Sequence, residues 1–84
     1  MFIYISFKSR TNLMTFYKLI KTYINASIVN TPRTISISCS LSIKTEYRHV
    51  NFIHDMIKKT HIDNLIGVFL IKKLNTHEQV ERII

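Results

Sequence analysis

The chain has 84 residues and a formal charge of +7, with 12 Lys and Arg against 5 Asp and Glu. This length fits one small domain spanning 1–84, which buries about 60–65% of the surface its unfolded chain exposes and leaves no room for a separate substrate domain. With one cysteine no internal disulfide can form, and no C-x-x-C or H-E-x-x-H spacing provides a metal clip, so stability must come from the 46% apolar residues.

The apolar runs 1–5 and 66–71 are far shorter than the roughly 20 residues of a membrane span. Phe2–Phe7 is followed by Lys8, Ser9 and Arg10 rather than a small-residue cleavage site. A cytoplasmic protein without a membrane partner is the expectation, in keeping with a thiol that stays reduced. The positive charge favours anionic partners. Its Lys and Arg are dispersed in blocks no longer than two, which weighs against nucleic acid unless folding gathers them on one face.

In chain order, Phe2–Phe7 is rich in β-branched and aromatic residues and reads as a largely buried strand. Thr11 or Asn12 is the expected cap of a first helix carrying Leu13, Phe16, Tyr17, Ile20 and Ile24 on one stripe. Ala26–Asn30 reads as a short second strand, ended by Pro32. Residues 31–39 form a connection longer than a tight hairpin needs. Leu41–Lys44 alternates apolar with polar as a third strand, starting as early as Ile37 at its limit.

Thr45 precedes a second helix with Val50, Ile53, Met56 and Ile57 on one side, Phe52 at its margin, and Lys58 and Lys59 in the last turn. Gly67–Ile71 reads as a fourth strand. From Asn75 onward, Thr76 and Gln79 form a capping-box candidate for a short helical tail, with Val80, Ile83 and Ile84 available to cover an edge or groove. The expected class is therefore α+β, a ferredoxin-like βαββαβ two-layer sandwich with core residues 2–72 and tail 74–84. Its open sheet face would be relieved by a homodimer or by the tail.

Chemistry centres on Cys39. The thiolate is the species that attacks or carries sulfur, and a nearby guanidinium or converging backbone N–H groups would favour it. Arg33 is six residues away, within reach across a curled loop but about 20 Å off along an extended one. Ser36, Ser38 and Ser40 can donate hydrogen bonds to a thiolate or to an anion beside it. The competing reading is a small hydrophobe packed where the third strand begins, since free cysteine is among the more buried residue types. No histidine is close to Cys39 in sequence.

The run from Ile28 to Lys44 resembles the signature of the small selenium/sulfur carrier-like proteins, a family of unknown function. Its members read Pro-Arg, a variable residue, Ile-Ser, then Ser-Cys-Gly before a strand. Pro32, Arg33, Ile35, Ser36, Ser38 and Cys39 fit that pattern; the likeness extends loosely to Phe7, Lys8 and Ser9 and covers about residues 2–72 by element order. The resemblance implies a carrier in which Cys39 bears a persulfide or selenium, Arg33 is its electrostatic partner and Pro32 aims the loop. Sulfur- or selenium-donor and acceptor proteins are the implied partners, with no cofactor. Ser40 departs from the family glycine, and its Cβ costs on the order of 1 kcal/mol if that position is left-handed.

Two other roles fit the residues. A non-catalytic protein-binding or homodimerisation module would use the open sheet face with Tyr4, Tyr47, Phe52 and the apolar tail. A single-stranded nucleic-acid module would stack bases on sheet aromatics, although neither the first nor the fourth strand carries the interleaved Lys/Arg-Gly-Phe pattern. A classical enzyme ranks below a carrier or accessory protein, for want of a Gly-rich phosphate cradle, paired carboxylates or a nucleophile-base pair.

Overall fold

A computed structural model describes residues 1–35 and 41–84. The first strand, β1 (Phe2–Phe7), turns Ile3, Ile5 and Phe7 to the interior and Phe2, Tyr4 and Ser6 to the other face. The chain then enters α1 (Arg10–Ile20), followed by β2 (Ala26–Asn30) and β3 (Leu41–Glu46). A single 3-10 turn at Tyr47–His49 leads into α2 (Val50–Thr60), and the chain ends in β4 (Leu65–Lys73) and β5 (Glu78–Arg82).

The five strands form one antiparallel sheet in the order β2-β3-β1-β4-β5. This corrects the expected four-stranded ferredoxin-like sandwich with a helical tail: the sheet has a fifth strand, and the tail supplies it. Residues 74–77 close a hairpin in which the Leu74 N–H donates to the His77 carbonyl at 2.8 Å. Thr76, expected in a capping box, lies in that turn, and Gln79 pairs with Lys72. The physical reason is the nine-residue β4, whose free edge would leave a row of unpaired N–H and C=O groups. A tail this short makes a marginal helix, whereas pairing satisfies both segments.

One core joins the sheet to both helices. Leu13, Phe16 and Ile20 of α1 and Ile53 of α2 pack with Ile3, Ile5, Phe7, Ile43, Val68 and Leu70 of the sheet. The Phe7 and Phe16 rings meet with centroids 5.7 Å apart. At the start of α1 the cap is Ser9, whose hydroxyl accepts from the Asn12 N–H at 3.4 Å; Thr11 and Asn12 lie in the first turn. Helix α1 stops at Ile20, and the Ile20 carbonyl accepts from both Tyr23 and Ile24 N–H groups.

Strand β3 runs on through Thr45 and Glu46, two residues past its expected end at Lys44, so Thr45 lies in the sheet instead of preceding the second helix. Thr45 is buried and its hydroxyl donates to the Asn25 carbonyl at 2.8 Å, which holds it to the sheet rather than freeing it as a helix cap. The two left-handed positions flanking the α2–β4 linker fall to His61 (φ 49°) and Asn64 (φ 65°); His and Asn tolerate that region better than most residues. Gly67, the one glycine, lies inside β4 instead. A Cβ there would meet Arg82 Nε at 2.8 Å and the Ile84 carbonyl at 3.2 Å, so its bareness lets the C-terminal residues cross the strand closely.

Candidate functional site

The loop singled out by sequence joins β2 to β3. The last pair of that ladder is Asn30 with Leu41, so the chain leaves and re-enters the sheet at one point. Just beyond it the Pro32 carbonyl accepts from the Ile35 N–H at 2.9 Å, closing a turn with Arg33 at its tip. Pro32 is half-buried and Arg33 is exposed. Cys39, Ser36, Ser38 and Ser40 lie outside the described residues.

Below the turn runs a chain of hydroxyls. Thr31 Oγ1 lies 2.7 Å from Ser42 Oγ, which lies 2.8 Å from Ser6 Oγ. Ser6 and Ser42 are fully buried, and each hydroxyl can both donate and accept, so the three satisfy one another without water. The chain ties the root of the loop to the central strand. Sequence reasoning passed over these residues. The available signal was Ser6 itself, a lone small polar residue inside the otherwise apolar and aromatic run Phe2–Phe7.

The antiparallel register Ser6 to Ser42 brings the C-terminal end of β1 to the same end of the sheet as the loop. Lys8, Ser9 and the first turn of α1 follow directly. Lys8 and Arg10 are exposed, and no acidic side chain occupies that first turn. The α2–β4 linker arrives there too: the Lys8 N–H donates to the Asn64 carbonyl at 2.7 Å, and Asn64 Nδ2 donates to Asn12 Oδ1 at 2.8 Å. Strand register thus brings Lys8, Arg10, Arg33 and the N-terminus of an 11-residue helix to this end of the sheet, with Asp63 beside Asn64. A helix N-terminus and three cations at one end of the sheet favour an anion or a thiolate there.

Of the histidines, His61 opens the α2–β4 linker and the other three lie on other elements. His54 is exposed on α2, His61 ends that helix and His77 sits in the β4–β5 turn. His49 stands before α2 with a buried Nε2 that has no hydrogen-bond partner among the described residues. No group of three His, Cys, Asp or Glu among the described residues could share a metal ion.

The aromatic residues expected to form one docking face are separated. Tyr4 lies on the sheet face turned away from the helices, Tyr47 is in the 3-10 turn, and Phe52 on α2 packs against Tyr23 with ring centroids 5.7 Å apart. Among the described residues, no helix is long and apolar enough to cross a membrane.

Comparison with family models matches residues 2–65 to the family described as "Putative Se/S carrier protein-like". The matched segment runs from β1 through α2 and includes the whole β2–β3 loop; nearly all of β4 and all of β5 lie beyond it. No curated protein and no solved structure matches the chain.

Proposed function

We infer the function from one premise: the chain belongs to the Se/S carrier protein-like family. Acting as a single domain over 1–84, it takes up a sulfur or selenium atom on Cys39 and passes it between partner proteins in a reducing compartment such as the cytoplasm. The observation that carries this reading is the convergence of the loop root, with Arg33 in its first turn, and the Lys8–Arg10 start of α1 at one end of the sheet. Positive charge beside the loop favours a thiolate over a thiol and a bound anion over none.

The transfer is a thiolate exchange. The Cys39 thiolate attacks the outer sulfur of a donor protein's persulfide. The donor S–S bond breaks, the donor departs as its thiolate, and the outer sulfur, with its proton, becomes the terminal atom of a Cys39 persulfide. No net oxidation occurs, so no further reagent is required. An acceptor thiolate then repeats the displacement on Cys39. Arg33 lowers the cost of negative charge on Cys39 both as attacking and as leaving group, Pro32 sets the path of the loop, and Ser36, Ser38 and Ser40 supply hydrogen bonds to sulfur or selenium.

Incubation with a persulfide donor followed by intact-mass measurement tests this. The expected result is a gain of one sulfur atom on Cys39, lost on treatment with a reducing thiol and absent in Cys39→Ser. A folded protein whose Cys39 gains no sulfur and resists alkylation would sink the carrier reading in favour of a packed thiol.

A further inference from the structure

Both helices pack on the sheet face of Ile3, Ile5, Ile43 and Val68, and among the described residues the opposite face carries no helix. On that face the registers align one row across four strands: Lys44 opposite Tyr4, Tyr4 opposite Phe69, and Phe69 opposite Arg82. Two aromatic rings on central strands are thus flanked by a cation on each side. The row draws one residue from each strand, so no linear motif announces it.

Next to this row lies a half-open groove of about 590 Å³, with Phe2, Tyr4, Lys44 and Ile71 in its lining. Phe2 is 45% exposed. Lys44 Nζ stands 4.3 Å from the Phe2 ring centroid and 6.0 Å from that of Tyr4. Lys72 and Lys73 also line the groove, against one acidic residue, Glu78. Lys72 is paired with Glu81 at 3.5 Å, whereas Lys44 and Lys73 have no carboxylate within ion-pair distance among the described residues.

We propose that this face binds single-stranded nucleic acid, with bases stacked on Phe2 and Tyr4 and phosphates held by Lys44 and Lys73. Flat, partly exposed rings beside unpaired cations are what a strand with free base faces and a charged backbone requires. A duplex keeps its base faces stacked internally and can use only the charges. A second copy of the chain is disfavoured as occupant, because a two-fold contact through this groove would set its lysines against their own copies at a charge of +7 per chain. The inference is independent of Cys39, which this face does not require.

Fluorescence anisotropy with labelled 12-nucleotide oligo(U) and oligo(dT) tests it on the full chain. The expected result is binding to the single strands that exceeds binding to a duplex of the same length and weakens as salt rises from about 50 to about 200 mM. Tyr4→Ala should weaken it about five- to hundredfold, and Lys44→Gln should flatten the logarithmic salt dependence by about 0.7, with circular dichroism unchanged in both. A stronger response to RNA than to DNA, or the reverse, identifies the strand. Equal affinity for duplex and single strand with no effect of Tyr4→Ala would reduce the binding to net charge and overturn the proposal, as would self-association through Tyr4 with no oligonucleotide bound.

Discussion

Ser6 and Ser42, both fully buried on the sheet face turned away from the helices, share a 2.8 Å hydroxyl–hydroxyl hydrogen bond, and Ser42 also meets Thr31 at 2.7 Å. Ser42 is the middle link, so the two ends are not equivalent. Ser42→Ala leaves the buried Ser6 hydroxyl unsatisfied and releases Thr31, and should cost about 1–3 kcal/mol. Ser6→Ala leaves Ser42 with Thr31 as partner and should cost about 0.5–1.5 kcal/mol. Urea unfolding of the two variants checks the order; equal losses would mean that the chain of hydroxyls is not coupled.

Gly67→Ala should destabilise the protein by about 1–3 kcal/mol, because the added methyl collides with Arg82 Nε and crowds the Ile84 carbonyl and the Phe69 ring. The arginine can swing aside but the carbonyl is backbone, so Gly67→Ala combined with Arg82→Ala should recover only part of the loss. Amide exchange is the sensitive readout. Protection of Ile83, whose N–H donates to the Val68 carbonyl at 2.8 Å, should fall before that of β1.

Truncation after Lys73 removes β5 together with Ile83 and Ile84, which pack against the core. The expected outcome is lower stability and concentration-dependent association through the bared β4 edge. Size-exclusion chromatography across a dilution series measures it. A truncated chain that stays monomeric with an unchanged urea midpoint would show that β5 is dispensable.

Arg33→Ala should slow iodoacetamide alkylation of Cys39 severalfold near neutral pH while leaving thermal stability within about 0.5 kcal/mol, since Arg33 is exposed at a turn tip. Added salt should narrow the gap between variant and parent, as screening does for an exposed charge. Identical rates at low salt would remove Arg33 from the chemistry.

Much of this architecture is written locally. Ile3, Ile5 and Phe7 alternate, and Leu13, Phe16 and Ile20 recur at helical spacing, so β1 and the buried stripe of α1 could be read directly. The errors arise where a distant partner decides. Thr45 has the chemistry of a helix cap, but its hydroxyl finds the Asn25 carbonyl and stays in the sheet. Thr76 and Gln79 have capping-box spacing, yet the unsatisfied edge of β4 outweighs a helix too short to hold itself.

The site divides in the same way. The loop at Pro32 was legible because a proline cannot continue a ladder, and the described structure turns there; the roles given to Pro32 and Arg33 rest on the family resemblance. The serine chain beneath it and the row through Lys44, Tyr4, Phe69 and Arg82 depend on cross-strand register, which no stretch of sequence displays.

Asn64 has a left-handed backbone that any residue other than glycine adopts at some cost, and from it the side chain and carbonyl grip Asn12 and Lys8. It works as a rivet through three segments: the linker after α2, the exit of β1 and the opening turn of α1. A partner that docks at this end meets a seat already cast, and spends little of its binding energy on stiffening it.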